Sequence, residues 1–367
     1  MPPQPTPAQV TVSLVVLGLL STMLAVWFWA IGRLASGKTL LPPAPVRVVP
    51  WRAKHVLGMV LLYIAIINIV PPLVFAALGV KPAKGDGAKL DPATLMMTMI
   101  AVNGTFVAVG PLLLAWWTKA GPADFGVERG KVGRDILRGI VAWPLLAPIV
   151  FGVQYLSLKV WPPQKHPLLE LVEGDPTSLN WGLTILSAVV LAPLAEEFLF
   201  RGVLLGWLGR WAAGVDRPKP ATALDPDLGP PENWYEPEPA PAAGHGWRLL
   251  AANVAVSGLF AAMHAQVWPT PIPLFFLSLG LGILYQRTGG LVAPVTLHAT
   301  FNGISTLMLY MMLQVNPDAL KPGGPVPIPP EAALVRQDVD LGRHASASRH
   351  RNLNSLRISV DRTGAHG

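Results

Sequence analysis

Long apolar segments separated by polar ones constrain the fold of this chain more than any other feature. One helical crossing of a bilayer takes about 20 apolar residues. Eight candidate segments lie at roughly Val10–Leu34, Val56–Leu78, Ala93–Trp117, Ile136–Val160, Trp181–Trp211, Leu249–Val267, Ile272–Gln286 and Leu291–Leu313. Because the bilayer core offers the backbone no hydrogen-bond partners, such segments cross it as helices. The sequence therefore predicts an all-α, polytopic membrane protein with about eight transmembrane helices.

Composition agrees with a membrane protein and excludes several kinds of site. Only 13% of the 367 residues are charged, against roughly 25% in soluble domains. The chain has no cysteine, which rules out disulfides, thiolate metal sites and a cysteine nucleophile. The net charge is +7, but the basic residues are scattered as in cytoplasmic loops, without the basic stripe that binds nucleic acid. We therefore expect a multi-pass protein of the cell's inner or plasma membrane, which contacts the lipid bilayer and does not bind nucleic acid.

Changes in composition along the chain predict three regions. Residues 1–160 form N-terminal transmembrane helices, and residues 161–315 form a second membrane region with a Pro- and acid-rich insert at about 214–246. Residues 316–367 form a basic tail rich in Arg, Ser and His after a Pro-rich start. The insert and the tail have too little apolar surface to fold alone, so we expect disorder in the tail.

The fifth apolar segment contains two adjacent carboxylates and an arginine, Glu196, Glu197 and Arg201. An ionisable side chain in a bilayer costs at least about 2.5 kcal/mol, so such residues usually have a function or a partner. On a helix Glu197 and Arg201 face each other, whereas Glu196 points about 100° away and is available as a general base. The alternative is an inert buried charge cluster. Pro193, just before the glutamates, predicts a kinked or broken helix.

Two later apolar segments carry histidines. His264 follows Phe260 by one helical turn, and Asn302 follows His298 by one turn on the same face. Taken singly, His264 is most simply a packing residue, and the other pair could be interhelical hydrogen-bond contacts. Together with the glutamates, however, two histidines and an amide are sufficient to activate a water and to stabilise an oxyanion. The combination predicts a polar catalytic cavity and favours hydrolysis over a structural role.

Three ordered motifs carry a resemblance to a known family. EExxxR at Glu196–Arg201, FxxxH at Phe260–His264 and HxxxN at His298–Asn302 resemble, in order and approximate spacing, those of the CPBP intramembrane proteases. This family includes the Ras-converting CAAX prenyl endopeptidases and bacteriocin-processing or self-immunity proteins. The resemblance covers about Trp181 to Leu313. A weaker likeness to the segment upstream of the first motif lies at His166–Glu170.

The resemblance implies an intramembrane endopeptidase in which Glu196 and His264 activate water. It also implies that His298 and Asn302 form the oxyanion hole and that Glu197 pairs with Arg201 to organise the site, beside Phe260 as a further supporting residue. Its substrate would be a membrane-associated protein or peptide, prenylated or not, because fold and motifs do not fix specificity.

Other readings of the same residues remain. Glu196, His264 and His298 could bind zinc and leave a fourth position for water. The HExxH motif is absent, and a zinc-bound His298 could not also line the oxyanion hole, so we favour a mechanism without metal or other cofactor. A non-catalytic membrane scaffold or immunity protein could use the same cavity. A transporter is a further alternative, although no inverted repeat supports it.

Overall fold

The computed structural model describes residues 4–42, 44, 46–80, 91–161, 177–214 and 246–316. In this part of the chain there are eight long helices and no strands. They are α1 (Pro7–Ala35), α2 (Ala53–Leu78), α3 (Pro92–Thr118), α4 (Val132–Val160), α5 (Ser178–Ala213), α6 (Gly246–Ala262), α7 (Pro271–Thr288) and α8 (Val292–Val315). The all-α class is confirmed.

Five of these helices, α1 to α5, are long and apolar enough to cross a membrane, judged by length and composition, and α6 is a shorter apolar helix. The polytopic character is therefore confirmed, whereas the number of eight crossings stays a prediction. The segment 166–170, most of the predicted insert (215–245) and most of the tail (317–367) lie outside the described residues, and the three predicted regions stay predictions.

Of the two outcomes predicted for α5, a kinked or a broken helix, the break does not occur. The helix continues from residue 178 to 213 and contains two π-helical stretches, Ile185–Leu191 and Phe198–Leu205. At the first stretch the N–H of Ala192 bonds to the carbonyl of Ser187, five residues back. This shift in register takes place directly before Pro193, which has no N–H to give. The helix thus passes the proline by changing its hydrogen-bond spacing.

The sixth apolar segment is helical over a shorter length than predicted. Helix α6 ends at Ala262, and residues 263–270 form successive turns. In these turns an N–H bonds to the carbonyl three residues back, as between His264 and Ala261. Pro269 and Pro271 lack the amide hydrogens that a continuing helix would need. The prediction that His264 lies on the helix was wrong, since it stands two residues beyond the end.

Helix α5 lies at the centre of the packed helices, in contact with α2, α3, α6 and α7. The fully buried Trp51, before α2, donates its indole N–H to the carbonyl of Val203 at 3.0 Å. Helix α7 packs against α6 at Gly282, where an added Cβ would lie 1.8 Å from Oδ1 of Asn253. Residues of α4, α7 and α8 form a second apolar cluster. This packing surrounds the charged turn of α5 with other helices.

A charged clamp joins the loops at one end of the helices. Arg47 donates hydrogen bonds to the carbonyls of Ala123 and Gly289 and pairs with Glu128 at 3.1 Å. Lys131 forms a second ion pair with Glu128. Hydrogen bonds from Lys131 and Arg47 keep the pKa of Glu128 below its ordinary value. The ionised Glu128 therefore helps to hold these loops together.

Candidate active site

The ion pair between Glu197 and Arg201 has the geometry expected from their spacing. The Arg201 Nη1 donates to the Glu197 Oε1 at 2.8 Å, and both side chains are 0% exposed. Arg201 Nη2 also donates to the Oγ of Ser278, at 2.7 Å, and to its carbonyl, at 3.0 Å. These bonds attach α5 to α7. Sequence analysis missed Ser278, although a lone serine in an apolar segment is a signal for such a contact.

His298 lies between the two glutamates. Its Nδ1 is 2.8 Å from Oε1 of Glu197, and because an ionised carboxylate can only accept, Nδ1 carries the hydrogen. Its Nε2 lies 3.9 Å from Oε2 of Glu196. The Glu196 side chain is 24% exposed, in contrast to the buried Glu197. The adjacent carboxylates thus differ in environment: one is fixed by an arginine and a histidine, and the other is accessible.

Phe260 packs at the centre of this group. Its ring is fully buried, with the His264 ring at 4.9 Å, the His298 ring at 6.1 Å and the Arg201 guanidinium carbon at 5.0 Å from its centroid. His264 Nδ1 lies 2.8 Å from the Phe260 carbonyl, which can only accept, so Nδ1 donates. Within the described residues His264 makes no hydrogen bond to either glutamate.

Asn302 makes a separate connection between helices α8 and α5. Its Nδ2 donates to the carbonyl of Ala188 at 2.7 Å. This bond uses one of the two amide hydrogens and leaves the other available. The structure therefore gathers Glu196, Glu197, Arg201, Phe260, His264 and His298 into one cluster, and Asn302 follows His298 by one turn of α8.

The chemistry of this cluster fits proton transfer to and from a water molecule. An accessible carboxylate, an imidazole beside it and a second imidazole held by a buried carboxylate are typical parts of acid–base catalysis. In the part of the chain that the structure describes, no three His, Asp or Glu side chains are grouped as metal ligands.

Comparison with family models gives an independent identification. Residues 178–304, about a third of the chain, match the family described as "Type II CAAX prenyl endopeptidase Rce1-like". This region belongs to the CPBP and CAAX protease family. No curated protein and no solved structure matches the chain significantly.

The family match supports protease activity of the CAAX type in general. The matched region includes all three motifs and runs from the start of α5 into α8. The chain is an integral membrane protein, and the protease family that its matched region resembles implies, in general, a membrane-associated protein or peptide as substrate. The helices before α5 lie outside the match.

Proposed function

We propose that this protein is an intramembrane CAAX-type endopeptidase of the cell's inner or plasma membrane that cleaves a prenylated, membrane-associated protein or peptide. The contrast between Glu196 and Glu197 carries this proposal. Arg201 and His298 fix the buried Glu197, while Glu196 stays partly exposed with His298 Nε2 at 3.9 Å. Two carboxylates in different environments are suited to separate roles, as structural support and as base.

In the proposed reaction, Glu196 takes a proton from water as the oxygen attacks the scissile carbonyl carbon. His264 orients the water or relays the proton. The resulting oxyanion accepts hydrogen bonds from His298 and from the remaining N–H of Asn302. The carbon–nitrogen bond then breaks, and the proton held by Glu196 passes to the leaving amine.

The proposal includes no metal ion. A zinc version would use Glu196, His264 and His298 as ligands, and each of these residues has a role in the metal-free mechanism. A chelator distinguishes the two versions. Activity that survives dialysis against 1,10-phenanthroline supports the metal-free mechanism, whereas activity that is lost and then restored by zinc overturns it.

A defined peptide tests the activity itself. Purified protein in liposomes is given a farnesylated peptide ending in a CAAX sequence, and the released tripeptide is measured by mass spectrometry. We expect cleavage by the wild type and a loss of about 10²- to 10⁴-fold in Glu196→Gln, since this change removes the base. Glu128→Gln is the matched control, because Glu128 lies in the loop clamp. Equal rates for wild type and Glu196→Gln would contradict the mechanism.

A peptide without the farnesyl group tests the substrate class. Slower cleavage of that peptide supports prenyl recognition, and equal cleavage shows that prenylation is not required. If no peptide is cleaved and Glu196→Gln retains the protein's effect in cells, a non-catalytic scaffold is the better account.

A further inference from the structure

The bond between Asn302 and Ala188 ends at an unusual carbonyl. In an α-helix the carbonyl of Ala188 would accept from the N–H of Ala192, but that N–H bonds to Ser187 instead. In the π register its donor would be residue 193, which is proline and has no N–H. Neither backbone donor reaches the Ala188 oxygen, and the amide of Asn302 takes their place at 2.7 Å.

The same relation occurs at a second place, on α4. In α4 the carbonyl of Pro144 would accept from residue 148, which is also proline. The indole N–H of Trp27, on α1, donates to this carbonyl at 3.1 Å. A carbonyl released by a proline is thus used twice to bind a side chain from another helix. This agrees with the general need to satisfy backbone groups inside a membrane.

The Asn302 bond joins the two helices that carry Glu196, Glu197 and His298. Pro193 precedes Glu196 by three residues, and Asn302 follows His298 by four. Together with the 2.8 Å bond from His298 to Glu197, it gives α5 and α8 two connections, which start one turn apart on α8 and end nine residues apart on α5, at Ala188 and Glu197. Because a carbonyl can only accept, the bond also fixes which end of the Asn302 amide faces Ala188.

We propose that Pro193 is a positioning residue for Asn302. By withholding an N–H from the Ala188 carbonyl, Pro193 leaves that oxygen for the Asn302 amide and so holds the second amide N–H towards the cluster. The catalytic consequence rests on the proposed function. The pairing itself does not, because it is a property of the folded helices.

A double-mutant cycle in thermal unfolding tests the pairing without any substrate. The variants are Pro193→Ala, Asn302→Ala and the double variant, purified in the same detergent. In the wild-type background Asn302→Ala leaves the Ala188 carbonyl without a partner, so the melting temperature falls. In the Pro193→Ala background the restored N–H of residue 193 or the α-helical N–H of Ala192 can bond that carbonyl, so the fall is smaller. Pro193→Gly restores the same N–H and should show the same coupling, which separates the N–H from side-chain volume.

Equal falls in both backgrounds would overturn the pairing, even if the protein proves to be no protease. Turnover of the farnesylated CAAX peptide then tests the positioning role. Pro193→Ala should lower kcat by up to about 100-fold, as for a displaced catalytic group, with little change in KM. Pro148→Ala is the matched control and should keep the wild-type kcat, since the carbonyl that Pro148 leaves without a backbone donor, that of Pro144, accepts from Trp27 and from no residue of the cluster. A wild-type kcat in Pro193→Ala would overturn the role.

Discussion

Replacing Arg201 by leucine should destabilise the protein through the charge that it leaves behind. Arg201 and Glu197 are both fully buried, and Arg201 makes three hydrogen bonds, one to Glu197 and two to Ser278. Removing one partner of a buried ion pair costs about 3–5 kcal/mol, because the remaining charge has lost its compensation. We expect a loss of that size in the free energy of unfolding for Arg201→Leu.

The double variant Glu197→Gln/Arg201→Leu isolates the contribution of charge. Glutamine is neutral and can still accept a hydrogen bond from His298 Nδ1, so no uncompensated carboxylate remains. The loss should then fall towards that of hydrogen bonds between neutral groups, about 1 kcal/mol each. Lys131→Leu is the control, because its ion pair with Glu128 is partly exposed, and such pairs contribute at most about 1 kcal/mol.

Unfolding in a series of denaturing detergent mixtures, followed by tryptophan fluorescence, measures these free energies. The chain has 13 tryptophans to report the transition. A double variant as unstable as Arg201→Leu alone would refute the reasoning, since the buried charge would then not be the source of the loss. A loss in Arg201→Leu no larger than in Lys131→Leu would refute it as well.

Two further outcomes follow from the packing and from the loop clamp. Gly282→Ala should lower stability by about 1–3 kcal/mol, because the new Cβ would overlap Asn253. Gly258→Ala is the control and should not lower it, since a Cβ at Gly258 would have no atom within 4 Å. Equal melting temperatures for the two variants would contradict the close contact. The lowered pKa of Glu128 means that its contribution to stability is complete above the ordinary glutamate pKa and is lost as the pH falls through the lowered value. Between about pH 5 and pH 3, the melting temperature of Glu128→Gln should therefore fall less than that of the wild type, and parallel curves would contradict the role of the clamp with Arg47.

Apolar length and helical spacing were sufficient to predict the helices and the main ion pair. The pairing of Glu197 with Arg201 depends only on their separation of four residues, which any helix brings to one face. The side chain on the next face, Glu196, is accordingly the more exposed carboxylate. These features are local, so the sequence contains all that is needed to infer them.

Features that depend on contacts between helices could not be predicted in the same way. The bond from Arg201 to Ser278 and the bond from His298 to Glu197 each join residues at least 77 positions apart. The change of register in α5 was also missed, because Pro193 alone signals a disrupted helix and does not specify how the backbone adapts. The early end of α6 was missed because the apolar segment continues to Val267 and favours a longer helix. The prolines that follow favour an earlier end, and the structure agrees with the prolines.

A comparison of protein termini in cell membranes tests the central claim most directly, because it requires no assumption about the substrate. Membranes from cells that make the wild type are compared with membranes from cells that make Glu196→Gln at equal abundance, and new termini are identified by mass spectrometry. The account predicts new C-termini on membrane-associated proteins that are present with the wild type and absent with the variant. Identical sets of termini, with the wild-type effect on the cells retained by the variant, would contradict proteolysis by this protein.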